Sequence, residues 1–416
     1  MASDRTPRIA AYTFARHWTA EICTGLVAGA SGLASLVAIR SLGAPAWTPQ
    51  LIAVAGQIPW LFAPGLDVFT RRLDARRAFI WLGLLANIPL LLLAFLPVTP
   101  GEGGHGAGTG PYLWFVAAMV ALNALDGLYL PLRGALVRAN YPDSVRGRFF
   151  GWLSAVSKTA TVASSKFGGV LLDLDPRLLR VFYPLAGIAG IVEHFLISKI
   201  RWHRTEALRP RDGAGFFAHF AESLREGGRI LRTDRDFRVF EIGFLLYGMG
   251  FLMGQPLIAE FMDTSLHLTY GQATWAVGFS EPVAYLATAL LVGPMLPRLG
   301  VVAVTAASFT VLSFFFIAMA FVGTPAVFVA LYFLFGATMA CVNLGWNLGP
   351  LRFAPPGQAR AYAAVHLLMV GVRIAVGPAL GYWLSRKTDV QLVFGVSAVL
   401  IAAGGVTMGL LGRRVR

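Results

Sequence analysis

Four residues in the stretch SAVSKTATVASSKFGG (154–169) fall on one face of a helix: Ser154, Lys158, Thr161 and Ser165 stand at i, i+4, i+7 and i+11. An ammonium flanked by hydroxyls is suited to anions, and a hydroxyl stripe in an apolar run suggests a wet lining rather than lipid contact. Arg373 lies 215 residues further on, inside another apolar run. Its planar guanidinium can grip a carboxylate through two parallel hydrogen bonds. Two such cations converging can hold one anion between them. Arg133 is a third cation in an apolar setting, and Lys166 a fourth, placed to snorkel toward headgroups. Glu281 before Pro282, Asp126 and His366 are the groups that can carry a proton, the histidine because its ordinary pKa lies near neutrality. Asn343 and Asn347 share a helix face beside Trp346, and Gln255 precedes Pro256; these can hydrogen-bond a solute or another helix. The competing reading is static pairing, Asp126 with Lys158 or Arg133 and Glu281 with Arg373. Glu21 and Glu241, a turn inside their runs, read as partners of nearby arginines, while Glu260 and Asp263 fall at the end of theirs. No nucleophile–base pair, metal-ligand cluster or phosphate loop is evident, so the expectation is no enzyme, no cofactor and no metal. Cys23 and Cys341 support no disulfide framework.

These charges demand explanation because of what surrounds them. The 416 residues are 56% hydrophobic and only 13% charged, with a mean hydropathy of +0.65. A soluble chain is about one quarter charged. A chain this apolar reads as a polytopic membrane protein, and its net charge of +14 as loop charge rather than a nucleic-acid footprint. Twelve runs approach the ~20 residues a membrane helix needs, near 18–39, 49–69, 78–97, 111–136, 149–172, 179–199, 238–261, 272–296, 300–322, 325–350, 361–384 and 389–411. An ionised side chain at the centre of such a helix costs about 2.5–3.5 kcal/mol. It must therefore face the bundle interior or a watery cavity. The expected tally is four intramembrane cations against Asp126 and Glu281, a surplus of two positive charges.

With the N-terminus inside, the inner segments hold 26 Lys and Arg and the outer segments 5. That bias places both termini in the cytoplasm. The longest polar break divides the chain into residues 1–200, a linker at 201–237 and residues 238–416. Within the linker, GFFAHFAESLREGGRIL (215–231) repeats Phe216, Phe220 and Leu224 at helical spacing, an amphipathic helix for the inner membrane surface. The two halves carry parallel landmarks: EICTGLVAGA and EIGFLLYGMG from Glu21 and Glu241, a proline at Pro59 and Pro282, and basic loops from Arg138 and Arg352. Their offsets are 220, 223 and 214, which reads as a six-plus-six repeat.

On these features the chain resembles the major facilitator superfamily. PDSVRGRFFG from Pro142 is similar to the P-x-x-x-R-G-R-x-x-G signature of bacterial members. The family's G-x-x-x-D-R-x-G-x-R-R/K motif survives in part as Gly293, Arg298 and Gly300, with Pro297 at the acid's place. In the first half, Arg72, Arg76 and Arg77 remain, but Asp67, Arg71 and Asp74 stand where the first glycine, the acid and the second glycine belong. The resemblance implies an all-α protein of two pseudo-symmetric six-helix bundles. It also implies alternating access to a central site that spans five and ten help line. Gly377-Pro378-x-x-Gly381 reads as a packing and bending device. The expected function is secondary transport of a small anionic or zwitterionic organic solute, with a possible co-transported proton. The expected partners are that solute and membrane lipids, without nucleic acid, and the expected form is a monomer. The alternatives are a proton-driven efflux pump for amphipathic cations, and a receptor or scaffold that binds solute without moving it.

Overall fold

The computed structural model describes residues 5–62, 75–98, 109–140, 143–200, 216–355 and 358–415. These residues form helices joined by short turns, with no strand among them. Spans 1 to 6 are Arg5–Arg40, Thr48–Ala55 continuing through a tight turn at Ile58–Phe62, Ala75–Leu92, Thr109–Asn140, Asp143–Leu174 and Leu179–Ser198. A linker helix, Phe216–Thr233, precedes the second set. Span 7 is Arg235–Gly254 with its continuation Ile258–Thr264, and span 8 begins at Tyr270–Trp275 and continues as Glu281–Leu299. Spans 9 to 12 are Val301–Met319, Pro325–Phe353, Ala359–Lys387 and Val390–Arg414. Among the described residues ten helices are long and apolar enough to cross a membrane. The other two expected spans are the second, which runs beyond the described residues, and the fifth, a 32-residue helix bearing the lysines and a series of Ser and Thr. The chain is a multi-pass membrane protein.

Lipid offers no hydrophobic drive for helices to associate, so membrane helices approach closely where side chains are small. The same pairings recur in both halves. A methyl at Gly127 of span 4 would lie 2.0 Å from the Gly56 carbonyl of span 2, and one at Gly336 of span 10 lies 2.2 Å from the Glu281 carbonyl of span 8. Spans 3 and 6 meet where Gly190 faces Asn87, and spans 9 and 12 where Gly405 faces Thr310. Gly25 and Gly29 seat span 1 on span 5; Gly377 and Gly381 seat span 11 on Leu252 and Met253 of span 7, the packing role expected of that motif. Gly300, at φ +79°, makes the abrupt turn from span 8 to span 9 that side-chain-bearing residues resist. Gly336→Ala is expected to destabilise the protein by about 1–3 kcal/mol, because its obstacle is the backbone of Glu281 and not a mobile side chain. Thermal melting in detergent measures this.

The linker helix does not merely lie beside the bundle. Gly227 packs against Val365 of span 11, Ile230 is buried, and Asp234 accepts a hydrogen bond from the Tyr362 hydroxyl at 2.8 Å. Leu224 is exposed, so the buried face is displaced from the Phe216–Phe220–Leu224 stripe. Asp236 at the start of span 7 meets Arg414 at the close of span 12 at 3.2 Å. We call the end of the bundle that carries the linker helix the linker end, and the opposite one the far end. Asp67, Arg71, Arg72, Asp74 and Pro142 lie outside the described residues.

Candidate functional site

Among the described residues, three groups of polar side chains stand out, and the third joins the halves. The first lies among spans 1, 4 and 6. Arg133 pairs with Glu21 and lies 3.8 Å from Glu193. Tyr129 donates to Glu193 at 3.4 Å, and His17 is 3.3 Å from Glu21. One guanidinium, always charged, thus ties three helices of the same half together. Arg133 is thereby a structural tie rather than a lining of the site between halves. Asp126 forms no ion pair among the described residues; Glu193 and Arg133 are the charges that act on it. It is not paired with Lys158.

Glu193 corrects the tally of charges. It lies in span 6 and is 5% exposed; its signal in the sequence is a carboxylate beside His194 in an apolar run. With Glu21 and Glu241, also buried, there are five carboxylates for four cations, and no positive surplus remains.

The second group lies within spans 7, 10 and 11. Glu241 pairs with His366 Nδ1 at 2.9 Å, not with an arginine. The His366 ring lies 5.9 Å from that of Trp346. Arg373 donates to the Phe244 carbonyl at 3.0 Å and sits 5.5 Å from the Tyr247 ring, pressed on Gly248. It is 7% exposed. Its hydrogen bond and ring contact are both within its own half, and no ion pair joins it to Glu281 among the described residues. Equal depth in two repeats does not fix equal helix rotation.

The third group crosses between halves. Lys158 of span 5 places its ammonium 5.0 Å from the centre of the Tyr285 ring of span 8. One turn back on span 8 is Glu281, and Lys158 is the cation that acts on it. The Tyr285 hydroxyl accepts a hydrogen bond from Asn343 at 2.8 Å, and Asn347 donates to the Asn343 carbonyl at 2.8 Å. Both asparagines are exposed. Trp346 turns the other way and meets Trp60 of span 2 at 5.4 Å, above an apolar seam of Val54, Leu252, Val370 and Ile374. Gln255 sits in the tight turn Gln255–Leu257 that interrupts span 7, half-buried.

The hydroxyl stripe has a different use from the one expected. Ser165 donates to the Gly29 carbonyl at 3.2 Å, Thr161 to its own helix at Ser157, and both are buried. They seal span 5 to span 1. The stripe also meets span 8 of the other half, Lys158 at Tyr285 and Ser165 at Gly278. Lys166 lies 3.3 Å above the Trp275 ring, so an indole face receives it. Glu260 pairs with Arg386 at the far end.

Residues 240–416 match the Major Facilitator Superfamily. The whole chain superposes on solved members of that fold. A variant of the nucleoside transporter NupG aligns with a TM-score of 0.72 at 12% identity, over 96% of this chain and 99% of that one. The family match thus covers the C-terminal part of the chain, and the likeness in fold extends over nearly all of it.

A POT family transporter in complex with 5-aminolevulinic acid gives 0.71 at 13% identity, over 97% and 96%. A variant of the E. coli fucose:proton symporter FucP gives 0.60 at 15%, over 94% and 98%. No curated protein matches by sequence. At these identities the solved structures establish the major facilitator fold and nothing about the solute. Within that fold the third group is placed where both halves contribute side chains.

Proposed function

We propose that the chain is a secondary active transporter, not an enzyme, and that it moves a small organic solute bearing both signs of charge. The observation that carries this is the approach of Lys158 to the Glu281–Tyr285 turn of the opposite half: its ammonium lies 5.0 Å from the Tyr285 ring centre, and it is the cation whose charge acts on Glu281. A pair within one half is a fixture of that half; a pair split between halves must change when the halves move. Lys158 takes the solute's carboxylate and Glu281 its ammonium. Asn343 and Asn347 hydrogen-bond its polar body, with the Tyr285 ring at its apolar side. Glu281 carries the coupling proton when no solute ammonium occupies it. The loop-charge bias supports a cytoplasmic linker end, and the family resemblance supports the inner membrane and a monomer. The superfamily fold supports transport, and the transporters it superposes on support a small polar solute.

One observation favours a second reading. Tyr285, one turn after Glu281, sets an aromatic face where a cation already lies, at 5.0 Å, which suits export of an amphipathic cation. Thermal stability against a panel of anions, zwitterions and cations separates the two, since a ligand at 100 times its Kd stabilises by about 2.7 kcal/mol. Zwitterions are expected to raise the melting temperature of the wild type. They should fail with Lys158→Ala and with Glu281→Gln. Stabilisation by cations alone, unchanged in Lys158→Ala, would transfer the assignment to efflux.

A further inference from the structure

The opening stretch of span 8 is held by the other half through its main chain. Asp173, at the end of span 5, accepts hydrogen bonds from the backbone N–H of Tyr270 at 2.7 Å and of Gly271 at 2.6 Å, one on each carboxylate oxygen. Arg40, at the end of span 1, donates to the Leu268 carbonyl, and the hydroxyls of Ser41 and Tyr270 meet. The N-terminal half therefore saturates both donors and acceptors of one short segment. Charge-assisted bonds of this kind are the strong ones. Because their partners are backbone groups, side-chain changes at 268–271 leave the bonds to Asp173 and Arg40 in place. The segment then lies flush on span 5: a methyl at Gly169 would come within 2.8 Å of Thr274, and one at Gly278 within 2.5 Å of Ser165.

Behind the segment the helix changes its winding. Ala276–Ser280 form a π turn, and the Ser280 hydroxyl donates to the Trp275 carbonyl at 2.8 Å. Such turns are wider than an α-helix and occur at functional sites. Glu281 follows at once, and Pro282 after it has no N–H to give the preceding turn. Span 8 is thus two stiff pieces joined by one soft stretch, with the clasp on the first piece and Glu281 at the head of the second.

We propose that Asp173 is a positioning residue for Glu281. By clasping Leu268–Trp275 to the N-terminal half it closes the far end and sets Glu281 against Lys158. Release of the clasp bends span 8 at 276–280, opens the far end and shifts Glu281 in the same motion. This rests on the alternating-access reading above and adds the residues that couple the far gate to the site.

The test uses the full chain in lipid nanodiscs, with Cys23 and Cys341 replaced by serine and spin labels at Arg177→Cys and Gly323→Cys, one in each half at the far end. Distance distributions report the far gate. Carbodiimide labelling of Glu281, read by mass spectrometry, reports its setting without any solute. Asp173→Asn is expected to raise the far-end-open population by roughly tenfold, on the strength of the charge-assisted bonds it removes, and to change the labelling of Glu281. Asp173→Glu should return both part of the way. A lower melting temperature with unchanged distances and unchanged labelling would overturn the proposal and leave Asp173 a structural cap. If Asp173→Asn does not fold, Arg40→Gln tests the same clasp by the same two readouts, and no change there overturns it equally. A wild type that shows one far-end distance at every pH and with every zwitterion of the panel would instead remove alternating access itself.

Discussion

Arg133→Ala is expected to lower stability by about 3–5 kcal/mol, the cost of stranding a buried charge. In the native fold Arg133 meets Glu21 from span 1 and Glu193 from span 6, and Tyr129 donates to Glu193 as well. Removing the guanidinium leaves two carboxylates in a low-dielectric interior with Asp126 nearby, three acids without a cation among them. Arg133→Lys should be intermediate, because a compact ammonium cannot reach both carboxylates as a planar fork does. Arg133→Ala combined with Glu21→Gln should recover part of the loss, since one of the stranded charges is gone. Thermal melting of the purified variants measures all three. An Arg133→Ala protein as stable as the wild type would mean that water or lipid headgroups reach this cluster, contrary to its burial.

Lys158→Ala is expected to weaken solute binding by about 10- to 100-fold, the worth of a hydrogen bond to a charged group at 1.5–3 kcal/mol. It also strands Glu281. The variant therefore mixes two effects, which Lys158→Ala with Glu281→Gln separates. The double variant should regain stability, because no unpaired charge is left, and still fail to bind a zwitterion. A double variant that binds like the wild type would assign the pair to packing. Affinity from the concentration dependence of the melting temperature decides this.

The elements were far more legible than the pairings. Each span needed only a long apolar run, and local composition supplies that without knowledge of the neighbours. The repeat was legible through Glu21 and Glu241 because the halves keep their landmarks in order. Which charges meet was not legible, because contact depends on how each helix is rotated and which helix stands beside it. Lys158 and Arg373 match in depth, yet one points across to span 8 and the other into its own half. Glu21 and Glu241 match in sequence, yet Arg133 answers one and His366 the other. The hydroxyls of Thr161 and Ser165 looked like a wet lining, but the glycines of span 1 bring a backbone close enough to use that face for packing. Of the polar side chains read as a site, Lys158, Glu281, Asn343 and Asn347 gather around Tyr285, which the sequence did not single out.

Solute counterflow tests the central claim most directly. Proteoliposomes preloaded with an unlabelled zwitterion that stabilises the wild type are diluted into a trace of the labelled compound. The wild type should accumulate label transiently, and the Lys158→Ala, Glu281→Gln double variant, folded but without the pair between the halves, should not. Counterflow by the double variant at the wild-type rate, with the same preference among charged solutes, would contradict a solute site built on Lys158 and Glu281.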